Sequence, residues 1–228
     1  MRTLAIDTSL AAGSISASGT GLSIERALPI PGAHARLVAA ALRDAAGELG
    51  WDIGTAELVA VVRGPGSFTG LRVGVALAKG IAWACGARLV GVSGFETIAW
   101  KSDRAIELLG RPLEIAYDAG RGDVYAATAT PCGTAASGWT VGPPRIVGAE
   151  SWIATLPASA VVAGPALAVL AERLAVRPDV AIAPASCWTA GAAAAAAIAG
   201  AESAAGRTDD PALLVPDYLR PSYAEDRG

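Results

Sequence analysis

Leu4 and Ile6 alternate with Ala5 and Asp7 in TLAIDTS, the period-two pattern of a half-buried strand, and Gly13 closes a turn into SISAS. This predicts a β-hairpin with Asp7 near its tip. GLSIERALP adds a third strand, stopped by Pro29, Pro31 and Gly32. Over 33–49 the period becomes helical: Leu37, Ala41, Ala45 and Leu49 form one ridge with Val38 and Leu42 beside it, and Gly50 follows as a C-terminal cap. ELVAVVR is a continuous apolar run of strand length, followed by the glycine-rich GPGSFTGLRVG, a helix over 71–85, the strand RLVGVS and a helix from about Phe95. Strands alternating with helices at this spacing indicate βαβ units.

After Arg111 and Pro112 the plan restarts. LEIAYDAGRGDVYAATAT reads as strand, glycine turn and strand, with Asp118 placed as Asp7 is. WTVGPPRIVG parallels the third strand. ASAVVAG is a strand turning into the helix PALAVLAERLA, and after DVAIAPAS an alanine-rich helix near 190–202 closes the second lobe. The expected organisation is a first lobe over 1–104, a reduced second lobe over 105–205, and a tail over 206–228 that docks on the first lobe.

Composition narrows the function. Across 228 residues, 53% hydrophobic residues suffice for a sizeable core, while a net charge of −3 argues against gripping a phosphate backbone unaided. No apolar tract combines the length and hydrophobicity of a membrane span, and MRTLAIDTS lacks a secretory signal, so a cytoplasmic location is expected. The three cysteines lack metal or redox spacing, and the lone His34 excludes a two-imidazole site within one chain.

The stretch Gly64, Pro65, Gly66, Ser67, Phe68, Thr69 has a phosphate loop's composition without its pattern. Walker A spacing and its lysine are missing, and a dinucleotide fingerprint fails at Thr69. Ser67 or Thr69 is placed to cap the next helix. Along that helix Gly70, Gly74, Ala78 and Ala82 form a smooth ridge, Val73, Leu77 and Ile81 an apolar one, and Arg72 and Lys79 share a third face. Such a helix is either buried in its own fold or meets its sheet on one side and another chain on the other. Asp7, Thr8, Ser9 and Asp118 are weak candidates for a metal-bound nucleotide, since turn carboxylates commonly bond local backbone N–H groups. No metal site and no cofactor are expected.

LAIDTS, VVRGPGSFTGLRVGVALAKGIAWACG, LVGVSGFETIA, DAGRGDVYAA and the tail VPDYLRPSYAE together resemble the TsaB (YeaZ) family. The resemblance implies an actin-like, Hsp70-like and sugar-kinase-like α/β fold of two lobes, a mixed five-stranded sheet with helices in the first and a smaller second lobe. It implies a non-catalytic subunit that supports a TsaD-like catalytic subunit in transferring a threonylcarbamoyl group to the adenosine next to the tRNA anticodon. A TsaE-like ATPase would join, tRNA would bind only through the complex, and the chain alone would form a homodimer. TsaD carries an HxxxH metal motif on the helix matching the one that starts at His34, and here Val38 stands at the second histidine's place. The expected interface comprises His34, Leu37, Val38, Ala41, Gly70, Arg72, Gly74, Val75, Ala78, Lys79 and Ala82. The rival readings are a free-standing kinase or ATPase using Asp7 and Asp118, and a glycoprotease-like peptidase.

Overall fold

The computed structural model describes residues 1–28, 34–105, 108 and 111–220, and of residues 34–36 the backbone alone. The first sheet comprises β1 (Thr3–Asp7), β2 (Ser14–Gly19), β3 (Leu22–Ala27), β4 (Leu58–Gly64) and β5 (Arg88–Ser93), in the order β3-β2-β1-β4-β5. β1, β2 and β3 pair antiparallel, whereas β4 lies parallel to β1 and β5 parallel to β4. Three antiparallel strands followed by two parallel ones are what the alternation of strands and helices predicts.

Helices α1 (His34–Glu48) and α2 (Phe68–Cys85) lie side by side on one face. There Val38, Leu42, Val75 and Ala78 close over Leu4, Ile6, Val59 and Val61. Ser67 caps α2 by accepting from the Gly70 amide at 3.3 Å, and Gly86 ends it in a left-handed turn at φ 64°. Among the described residues α2 is the one helix long and apolar enough to cross a membrane by length and composition. Here it packs along β4.

The opposite face is covered by α6 (Ala192–Ala204), which corrects the expectation that this alanine-rich helix closes the second lobe. Ala192, Ala195, Ile198 and Ala199 seat against Ala5, Leu58, Ala60, Val62 and Val90. Methyl-sized side chains let a helix axis come close to a valine-rich sheet. Consequently β1 is buried on both faces rather than one. α3 (Gly94–Ala105) lies between the sheets, with Phe95, Ile98 and Ala99 joining the core of the second lobe and Trp100 packing against the core beneath α6.

The second sheet runs β11-β10-β6-β7-β8 and is built from β6 (Leu113–Gly120), β7 (Asp123–Pro131), β8 (Trp139–Val141), β10 (Val161–Ala163) and β11 (Ala181–Ile182). β9 (Arg145–Gly148) pairs with β7 beside β8. The expected third strand is thus split in two, because Pro143 and Pro144 between them have no N–H to donate. Two short helices complete this half, α4 (Ala149–Thr155) and α5 (Leu167–Leu170). α5 is far shorter than the pattern PALAVLAERLA predicts, the chain continuing as a 3-10 turn over Arg173–Val176.

The chain end forms a strap over the first lobe and onto the second. Asp209 bridges to Leu89 of the edge strand β5, and its carboxylate accepts from Gly91 N at 2.7 Å. Asp217 N donates to Arg63 O at 2.8 Å. Leu214 is buried in the first core, and Arg220 reaches the second sheet, donating to Ala119 O at 3.0 Å and to Asp123 at 2.6 Å.

Candidate functional site

The loop between β4 and α2 is filled by the chain itself. Ser67 N donates to Ser9 O at 2.7 Å, and Thr8 Oγ1 donates to Gly70 O at 2.8 Å. A Cβ built on Gly66 would collide with the Ser9 carbonyl, and one on Gly70 with the Thr8 carbonyl. Glycine is required here by the close approach of two backbones. An amide that a phosphate loop would direct at an anion is therefore satisfied by the turn after β1, and Thr8 and Ser9 are fully buried beneath it. The glycine loop clamps the β1 tip.

Asp7 belongs to the same clamp. Its Oδ1 accepts from Ser9 N at 3.0 Å and from Ser9 Oγ at 2.6 Å, an Asx turn closed by its own neighbour. Burial raises its pKa, opposed by the Ser9 bonds and the charge of Lys101. Lys101, itself pushed down by burial, donates to Thr189 O at 2.8 Å and Ala190 O at 2.9 Å. Asp118 makes the matching bond, accepting from Gly120 N at 2.7 Å, but it is exposed.

Between the sheets lies an open groove of 420 Å³, lined by Arg63, Pro65, Phe95, Glu96, Trp139 and Leu219 among others. Arg63 Nε stands 3.3 Å from Asp217 Oδ2, an ion pair without hydrogen-bond alignment. Burial raises the pKa of both Glu96 and Asp217. Among the described residues no three His, Cys, Asp or Glu side chains cluster as metal ligands.

The expected interface divides in two. Val38, Val75, Ala78 and Ala82 are buried in the first core, and Gly70 and Gly74 face Thr8 and Val61. The small-residue ridge is therefore turned onto the chain's own sheet, which corrects its assignment to a partner. Its smoothness lets α2 lie close on β1 and β4. Arg72 and Lys79 are also placed differently from a free rim: Arg72 Nε donates to Tyr218 Oη at 2.8 Å, its guanidinium sits 3.7 Å from the Phe68 ring centroid, and Lys79 Nζ donates to Leu214 O at 3.1 Å. Both hold the strap. Leu37 and Ala41 are half-buried against the first core, and the side chain of His34 lies outside the described residues.

The ridge that α2 presents outward is a different one. Ala76, Gly80, Trp83 and Ala84 are exposed, Trp83 at 86%. The i, i+4, i+7 spacing of Ala76, Gly80 and Trp83 was available in the sequence, but the more regular glycine–alanine ridge beside it carried the stronger pattern. An exposed tryptophan beside small residues on a rigid helix is a surface suited to protein contact.

Comparison with known proteins adds to this geometry. Residues 31–138 match the family model described as TsaD: tRNA N6-adenosine threonylcarbamoyltransferase. The tRNA threonylcarbamoyladenosine biosynthesis protein TsaB of Escherichia coli (strain K12) is 33% identical over 128 residues, 55% of this chain and 53% of that protein. The TsaB of Bacillus subtilis (strain 168) is 43% identical over 67 residues, 29% of this chain and 28% of that one. The chain thus spans about half the length of the first of these relatives and less of the second. Among solved structures, YeaZ from Pseudomonas aeruginosa superimposes with a TM-score of 0.80 at 25% identity, covering 96% of this chain and 99% of its own.

Proposed function

We propose that this chain, which belongs to the TsaB (YeaZ) family, is a non-catalytic subunit that binds and supports a TsaD-like enzyme during formation of threonylcarbamoyladenosine in tRNA. The observation that carries the reading is the two-sidedness of α2. The glycine loop that leads into it and its inner face clamp the β1 tip through Gly66 and Gly70, and its outer face leaves Trp83 in solvent.

The chemistry of the remaining residues supports a helper rather than an enzyme. Asp7 is used within its own turn, and Val38, at the place of the second metal-binding histidine in TsaD, is fully buried in the core. The docking surface is the outer face of α2 with the half-buried Leu37 and Ala41 of α1 at its margin. A TsaE-like ATPase and tRNA meet the assembled complex, and a second copy of this chain pairs with it only when the TsaD-like subunit is absent.

The test is reconstitution of tRNA modification from purified components with this chain alone left out. Modified adenosine should fall to background and return on adding it back. Undiminished modification in its absence would refute the reading.

A further inference from the structure

We infer that the docking surface for the TsaD-like subunit is composite, formed by the outer face of α2 together with the strap at the end of the chain; this rests on the function proposed above. Among the described residues eleven large apolar side chains are exposed, and five of them, Phe68, Trp83, Leu213, Val215 and Tyr218, belong to α2 or to the strap. Such concentration on one part of a surface marks a contact site.

The two parts adjoin along their length. Lys79 of α2 holds the strap at Ala212 O (3.4 Å) and Leu214 O (3.1 Å), and about three turns earlier Tyr218 stacks on Phe68 with centroids 5.0 Å apart. The strap therefore runs antiparallel to the helix. Leu214 is buried, whereas its neighbours Leu213 and Val215 are exposed, at 75% and 62%. Fixing the strap's backbone to the helix reduces the ordering entropy that a loose tail would lose on binding.

Charge selects the occupant. α2 contains no acidic residue, and among the described residues neither Arg72 nor Lys79 is ion-paired to a carboxylate. The complementary surface is an apolar helix face edged with carboxylates, carried by the TsaD-like subunit. A two-fold contact between copies of this chain through the same strip would set these cations against each other.

The test is titration calorimetry of the full chain with the TsaD-like subunit, using three variants. The double variant L213S/V215S should weaken binding at least about tenfold, with hydrogen exchange showing the Asp217 amide still protected. Gly80→Arg on α2 alone should abolish binding, and the control Val169→Ser, exposed in the second lobe, should leave it unchanged. If Gly80→Arg abolishes binding while L213S/V215S stays within about twofold of the parent, the composite surface is wrong and the helix reading stands; if neither variant matters, both fail. Conversion of a dimer of this chain to monomer by L213S/V215S, with partner affinity unchanged, would also overturn the inference by making the strip a self-contact.

Discussion

The tips of β1 and β6 begin alike and end differently. Each carries an aspartate that accepts from the amide two residues on, Asp7 from Ser9 and Asp118 from Gly120. Each is approached by a Gly-Pro turn after a parallel strand, Gly64-Pro65-Gly66 in one lobe and Gly164-Pro165-Ala166 in the other. In the second lobe the turn closes on Ala116, whose carbonyl accepts from Ala166 N at 3.1 Å, so Asp118 beyond it stays in solvent. In the first lobe the turn reaches past the aspartate to Ser9 and buries Asp7 at 4% exposure. The helices that leave the two turns also differ: α2 has 18 residues and α5 has four. One plan thus yields a clamped tip with a long helix for a partner, and an open tip with a remnant.

The largest expected effect strikes the clamp. Gly66→Ala forces a methyl group into the Ser9 backbone and should cost about 3 kcal/mol, as overpacking of a close contact does, lowering Tm by roughly 6–12 °C in calorimetry. Ala166→Gly, at the same place in the second lobe, should cost only about 1 kcal/mol. Equal losses would show that the two turns do the same job.

Binding separates the helices next. Trp83→Ala should weaken association with the TsaD-like subunit about 30-fold, corresponding to about 2 kcal/mol at a contact hot spot. Val169→Ala on α5, 70% exposed in the wild-type chain, should leave the affinity as it is. A surface-plasmon comparison of the two variants decides the matter.

The clamped aspartate also makes stability depend on pH. Burial raises the folded-state pKa of Asp7 above its ordinary 3.8. Its contribution to stability is therefore fully present below the unfolded pKa and is lost as pH rises through the folded one. Asp7→Asn removes that loss. The stability of the variant relative to the wild type should improve as pH rises above about 4 in urea unfolding, and a relative decline would reverse the sign assigned to burial. Asp118→Asn is the smallest effect, within about 0.5 kcal/mol at neutral pH, as expected of an exposed side chain.

Much of this contrast was legible in the residues. The first sheet's succession of three antiparallel and two parallel strands followed from a hairpin and βαβ crossovers with strong periodicity, and Ser67 as one of two candidate caps followed from its place before the helix. Periodicity identifies residues that share a face without saying what the face meets. That is why the Gly70–Ala82 ridge could be assigned to a partner when it lies on β1 and β4, and why α6, uniform in alanine, gave no sign of which sheet it covers. The strap was harder still, since its hold on α2 depends on single long-range bonds from Arg72 and Lys79. Hydropathy carries no trace of such bonds.

The central claim is that the outer face of α2 acts through a partner, and Gly80→Arg tests it most directly. A Cβ added at Gly80 meets nothing within 4 Å, and arginine is the better helix former by about 0.5–1 kcal/mol, so the fold should be no less stable. Put in place of the wild-type chain in the reconstituted system, this variant should support no more tRNA modification than omission of the chain, with an undiminished Tm. Full modification by the folded variant would contradict the account.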